Sequence, residues 1–85
     1  MSQNKEDLKN KILYRASYRG TKEMDMLLSA FVNKYIDRFD ESYLFELETF
    51  LNFEDEIILN FYIHNINKKN IDENKISKIF KNFKI

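Results

Sequence analysis

Hydrophobic side chains recur at helical spacing along most of the chain. Leu8, Ile12 and Ala16 are each four residues apart, which predicts a first helix over about residues 4–17. A second helix is predicted over about residues 21–38, where the apolar face is the strongest of the chain. Its apolar positions are Met24, Leu27, Leu28, Phe31, Tyr35 and Phe39.

The second half of the chain predicts two further helices. Asp40 can N-cap the third helix, because its carboxylate can accept a hydrogen bond from a free backbone N–H. In this helix Leu44, Leu47 and Leu51 should face inward and Glu41, Glu46 and Glu48 outward. A fourth helix is predicted over about residues 54–65, with Ile57, Ile58, Phe61 and Tyr62 on its apolar face.

A fifth helix is predicted near the C-terminus. Asn70 followed by Glu73 resembles the capping arrangement of a helix start. The apolar face would then be formed by Ile76, Ile79, Phe80 and Phe83. The chain thus predicts an all-α fold, a small single-domain bundle of about five helices over residues 1–85, with residues 1–4 and 84–85 frayed.

Composition removes several classes of chemistry. The 85 residues include one glycine, one histidine and no cysteine, so thiolate metal sites, disulfides and glycine-rich nucleotide loops are excluded. His64 is expected at a helix end in a surface or capping role, and no metal site or catalytic group is predicted. No apolar run is long enough for a membrane span and the first ten residues are polar, which favours a cytoplasmic protein without membrane insertion.

Charge is balanced overall but segregated along the chain. Residues 1–20 carry five basic and two acidic side chains, a net of +3, whereas residues 40–56 carry seven acidic and no basic ones, −7. Residues 66–85 carry six lysines and two acids, +4. Solvated helix faces with some intramolecular attraction explain this pattern, although such polarity can also steer a partner. Nucleic-acid binding by the lysine-rich end is not favoured, because its aromatic rings fall on the apolar face and the net charge is zero.

The single glycine lies in the segment SYRGTKEMDML, where Arg19 and Glu23 flank it. One interpretation is a hinge between two helices, in which Gly20 has a φ that other residues resist and Arg19 pairs with Glu23. The other interpretation is a surface for a partner, since glycine permits close approach and arginine offers a bidentate fork. The residues themselves leave both interpretations open.

The wider segment KILYRASYRGTKEMDMLLSAF, residues 11–31, resembles the signature of the succinate dehydrogenase flavinylation factors, also called the succinate dehydrogenase assembly factor 2 family. The resemblance continues more weakly through FLNFEDEIILNFY, residues 50–62. It implies a five-helix bundle that binds the flavoprotein subunit of succinate dehydrogenase and promotes covalent attachment of FAD to a histidine of that client. Fumarate reductase flavoproteins are clients of some family members.

The resemblance also implies which residues contact the client. The R-G-x-x-E surface corresponds to Arg19, Gly20 and Glu23, with Tyr18, Lys22 and Asp25 as neighbours. The protein would be an assembly factor and not an enzyme, with no stably bound cofactor, because FAD belongs to the client. We expect a monomer when the protein is free.

The sequence departs from the family pattern at three positions. Tyr18 stands where a basic residue or histidine is common, Phe61 where tryptophan is frequent, and Ser29 where glycine is frequent. None of the three changes the R-G-x-x-E motif itself. A regulatory module of antitoxin type, which inhibits or titrates a partner, is the alternative function.

Overall fold

Five α-helices and one short 3-10 turn are present in the computed structural model, which describes residues 5–84. The helices are α1 (Lys5–Ser17), α2 (Lys22–Tyr35), α3 (Glu41–Leu51), α4 (Asp55–His64) and α5 (Lys75–Lys81), and the 3-10 turn is Ile71–Glu73. No strand occurs in residues 5–84, so the prediction of a small all-α bundle is confirmed. Of the ends predicted to fray, residues 1–4 and Ile85 lie outside the described part of the chain, and Lys84 is exposed and follows α5.

The helices bury one shared core. α1 packs against α2 and α3, α3 packs against α5, and α4 contacts α5 and the 3-10 turn. The predicted inward positions of α1 and α3 are all buried, as are Phe80 and Phe83, so the C-terminal aromatic rings belong to the core. The largest side chains with less than 2% exposure are Phe31, Phe50, Phe80, Leu8, Ile12, Met24, Leu28, Leu44, Leu47, Ile58, Ile71 and Ile76.

The boundaries predicted for α1 and α4 hold to within a residue, whereas the end of α2 and the start of α5 differ from the prediction. α2 was predicted to reach residue 38 but ends at Tyr35, and residues 36–38 form a turn. The backbone N–H groups of Arg38 and Phe39 both donate to the Tyr35 carbonyl. The chain must reverse here so that Asp40, in extended geometry, can accept from the Tyr43 N–H at 2.9 Å and cap α3 as predicted.

The capping arrangement predicted for Asn70 and Glu73 is wrong. Asn70 has a left-handed backbone, with φ of 57°, and its side chain makes no cap hydrogen bond. Asn74 caps α5 instead, because its Oδ1 accepts from the Ile76 N–H at 2.8 Å. The intervening 3-10 turn buries Ile71 and moves the start of α5 to Lys75.

Two glutamates of α3 are also less exposed than predicted. Glu41 is exposed, but Glu46 and Glu48 are half-buried. Glu46 accepts from the Lys75 backbone N–H at 3.1 Å, and Glu48 forms an ion pair with Lys11 at 2.8 Å. Both carboxylates therefore join helices and do not simply face solvent.

His64 is the last residue of α4 and is exposed, in keeping with its predicted surface position. α4 ends at Asn65, which adopts a left-handed backbone with φ of 58°. None of the helices in residues 5–84 combines the length and apolarity needed to cross a bilayer.

Candidate functional site

The candidate site is the turn between α1 and α2, residues 18–21. α1 ends at Ser17, whose hydroxyl donates back to the Leu13 carbonyl at 2.9 Å. α2 begins after Thr21, whose hydroxyl accepts from the Met24 N–H at 3.2 Å. A side-chain hydrogen bond thus satisfies a backbone group on each side of the turn, which leaves four residues to reverse the chain.

Arg19 is directed into the domain, and only 10% of its side-chain surface is exposed. Its Nε donates to Asp55 Oδ1 at 2.7 Å. Nη1 donates to the Leu51 carbonyl at 2.8 Å and Nη2 to the Phe53 carbonyl at 3.0 Å. The guanidinium therefore satisfies one carbonyl group of the last residue of α3 and one just after it, as well as the first carboxylate of α4.

Asp55 binds the turn with both of its oxygens. Oδ1 accepts from Arg19, and Oδ2 accepts from the Gly20 N–H at 2.8 Å. A carboxylate in the first turn of a helix is further favoured by the positive end of the helix dipole. The sequence predicted Asp55 only as a residue near the start of the fourth helix. Its pairing with Arg19, 36 positions away, could not be inferred from spacing.

The structure corrects the hinge interpretation in two respects. Arg19 pairs with Asp55 and not with Glu23. Gly20 does not have a left-handed backbone, because no glycine in residues 5–84 has positive φ. An added Cβ at Gly20 would instead lie 3.1 Å from Asp55 Oδ2. The absence of a side chain at Gly20 thus leaves room for the close approach of this carboxylate.

The six predicted site residues fall into two groups. Arg19, Gly20 and Asp25 hold the turn, and the Arg19 backbone N–H donates to the Asp25 carboxylate. Tyr18, Lys22 and Glu23 are exposed, and 70% of Tyr18 is accessible. Among the described residues, the side chains of Lys22 and Glu23 form no ion pair.

Exposed apolar side chains adjoin the second group. The ring of Tyr14, in the last turns of α1, lies 4.5 Å from the ring of Tyr18, just after that helix, and 65% of Tyr14 is exposed. Met26, in the first turns of α2, is 61% exposed. Sequence reasoning noted Tyr14 as part of the family signature but did not place it in the site. The i, i+4 spacing of the two tyrosines was the signal that could have done so.

A polar face of α1 links the site to α3. Lys11, Arg15 and Arg19 are four residues apart, and they reach Glu48, Asn52 and Asp55 respectively. This arrangement explains part of the charge segregation, because Lys11 and Arg19 of the basic segment 1–20 pair with Glu48 and Asp55 of the acidic segment 40–56. The intramolecular interpretation of that pattern is supported at these contacts.

A family model described as the flavinator of succinate dehydrogenase matches residues 10–84. The chain belongs to this family. The family name supports a role as an assembly factor in the flavination of succinate dehydrogenase. A search of curated proteins found no match to the chain. Within residues 5–84, no group of three or more histidine, aspartate or glutamate side chains is arranged to hold a metal ion.

Proposed function

We propose that this protein binds the flavoprotein subunit of succinate dehydrogenase and promotes covalent attachment of FAD to a histidine of that subunit. The observation that carries the proposal is a fixed turn and helix start in a chain of the flavinator family. Tyr18, Lys22 and Glu23 are exposed there, and neither charged side chain forms an ion pair within residues 5–84. FAD belongs to the client in this scheme, and the covalent step takes place within the client. A fumarate reductase flavoprotein is the second client to test.

The proposed mechanism is stabilisation of one client conformation. A covalent bond between a histidine and a flavin requires both groups in attack geometry, and orientation alone can lower a barrier by several kcal/mol. A protein that binds the reactive conformation of the client more tightly than others increases its population. No catalytic base from this chain is needed.

The exposed groups suit such a protein interface. Tyrosine provides a large apolar ring with a polar hydroxyl, a combination that is enriched at binding surfaces. Lys22 and Glu23 occupy adjacent positions of α2 and carry opposite charges, so the two together add no net charge. Each can pair with a group of the opposite charge on the client. We therefore assign client contact to Tyr18, Lys22 and Glu23, on the turn held by Arg19, Gly20 and Asp25.

The decisive experiment measures covalent flavin in the flavoprotein subunit, by fluorescence in a denaturing gel, in cells that lack this factor. Wild-type protein should restore the signal, and Glu23→Gln should lower it about tenfold, if one charge-assisted contact is lost. Glu41→Gln is the matched control, because Glu41 also lies exposed in the first turn of a helix. Normal covalent flavin with the Glu23 variant at equal expression would remove Glu23 from the client surface.

Affinity purification separates this proposal from the antitoxin alternative. A flavoprotein subunit should co-purify with the tagged wild-type protein and be reduced in the Glu23→Gln sample. Recovery of a toxin or cytoskeletal protein without any flavoprotein would favour the alternative. The cytoplasmic location and the monomeric free state stay predictions, which fractionation and light scattering will check.

A further inference from the structure

The donor groups of Arg19 are largely used inside the domain. A guanidinium has five N–H donors. Nε binds Asp55, Nη1 binds the Leu51 carbonyl and, at 3.5 Å, the Arg15 carbonyl, and Nη2 binds the Phe53 carbonyl. With 10% of the side chain exposed, a client carboxylate would find one N–H remaining and little access to it. The arginine of the motif is thus poorly placed to contact a partner.

The same contacts fix the backbone of the turn. The Gly20 N–H donates to Asp55 of α4, and the Arg19 N–H donates to Asp25 of α2. Two successive peptide groups are therefore held by carboxylates from two different helices. Tyr18, which precedes these peptides, and Lys22, the first residue of α2, both have exposed side chains.

We propose that Arg19 and Asp55 are positioning residues that act as one unit. Together they fix the α1–α2 turn so that Tyr18, Lys22 and Glu23 contact the client. The Arg19 guanidinium itself stays inside the domain. The proposal rests on the proposed function, because it assigns this turn to client binding. A turn that is ordered on folding loses no further conformational entropy on association, and this raises its affinity for the client. The three residues of the motif then have different roles. Arg19 and Gly20 donate hydrogen bonds to Asp55, and Glu23 faces the client.

A double-mutant cycle tests whether the two residues act together. Arg19→Ala, Asp55→Ala and the double variant are titrated with the purified succinate dehydrogenase flavoprotein subunit that carries non-covalent FAD. Each single change should raise the Kd about tenfold, and the double change should raise it by no more than either single change, because both release the same turn. Arg38→Ala and Asp72→Asn are matched controls with unchanged Kd, since both side chains are exposed and form no ion pair in the described residues.

A direct contact between Arg19 and the client gives a different result. The effects of the two single changes would then multiply to about a hundredfold in the double variant, or Asp55→Ala would leave the Kd unchanged. Either outcome overturns the inference. Titrations are made at a temperature where circular dichroism shows every variant fully folded, so that a loss of global stability alone leaves the Kd unaltered.

The conservative variant Asp55→Asn covers the case in which the alanine variants fail to fold. The neutral amide keeps a single oxygen acceptor, whereas the aspartate uses one oxygen for Arg19 and the other for the Gly20 N–H. Asparagine therefore cannot hold each partner with its own charged oxygen. Amide exchange followed by NMR should show faster exchange of Gly20 in free Asp55→Asn protein, together with a raised Kd. Unchanged exchange at Gly20 or an unchanged Kd contradicts the inference.

The two proposals fail in distinguishable ways. If the wild-type protein does not bind the flavoprotein subunit, the proposed function and this inference both fall. If it binds and Glu23→Gln weakens the complex, but the Arg19 and Asp55 effects multiply, only the inference falls.

Discussion

At the scale of single residues, Gly20 shows how one position can be constrained by a distant side chain. Its backbone is not in the left-handed region, so the local geometry alone would admit other residues. The constraint comes from Asp55 Oδ2, which would lie 3.1 Å from an added Cβ. The constraint on residue 20 therefore depends on Asp55, which the ion pair with Arg19 holds in place. This dependence can be measured.

We predict that the effect of Gly20→Ala changes with residue 55. Alanine reduces the entropy of the unfolded chain, which stabilises a compatible site by about 0.4–1 kcal/mol. In the wild-type background the contact with Asp55 offsets this gain. In an Asp55→Ala background the gain should remain, so that Gly20→Ala raises the free energy of unfolding measured in urea. The same effect in both backgrounds would show that Asp55 does not constrain Gly20.

At the scale of helices, α5 shows how a short element is fixed by its neighbours. It has seven residues, too few for a stable isolated helix. Asn74 is buried, caps α5 through its Oδ1, and donates from Nδ2 to the Glu46 carbonyl at 3.0 Å. The start of α5 is thus tied to the middle of α3 by one side chain.

We predict that Asn74→Ala lowers the free energy of unfolding by about 2 kcal/mol, because it removes the helix cap and leaves the Glu46 carbonyl without that donor. Urea denaturation monitored by circular dichroism measures the change. Asn70→Gly is the control, since glycine accepts the left-handed backbone at that position and no cap bond is lost. If the two variants lowered the free energy of unfolding equally, Asn70 would have the capping role that the sequence predicted.

At the scale of the whole molecule, ion pairs connect segments that are far apart in sequence. Lys9 of α1 binds Asp37, just after α2, with Nζ 2.8 Å from Oδ1. The hydrogen bond that Lys9 donates to Asp37, together with the charge of Lys9, lowers the pKa of Asp37. The same hydrogen bond raises the pKa of Lys9 against the opposing effect of burial. Both shifts favour the charged forms, so the pair stabilises the fold between the two titrations.

The pH dependence of this pair follows from the two directions. A lowered aspartate pKa gives stability that is present above about pH 4, the ordinary range of that group, and lost as pH falls through the folded value. A raised lysine pKa gives stability that is present below about pH 10 and lost as pH rises through the folded value. We predict that Asp37→Asn lowers Tm at neutral pH and that this difference disappears in strong acid.

Thermal denaturation at several pH values provides the measurement. The difference between wild type and Asp37→Asn should also shrink at about 1 M salt, because exposed charges are screened. Asp72→Asn serves as the control, since that exposed side chain forms no ion pair in residues 5–84. A difference at Asp37 that persists in strong acid would mean that the residue acts through something other than its charge.

The sequence by itself determined the five helices, the buried face of each and the Asp40 cap, because helical periodicity and N-capping are local properties read over a few residues. Family resemblance pointed to the segment around Gly20, and the family match over residues 10–84 supports that assignment of family. Only the tertiary structure decided which partners the residues of the motif have. It places Asp55 against Arg19 and Gly20, which no local pattern encodes, since the pairing depends on how the α1–α2 turn meets the start of α4. It also turns Arg19 inward while Glu23, four residues later, faces solvent. The direction of a charged side chain is set by the partners that packing brings to it, and these become defined only when the bundle has formed.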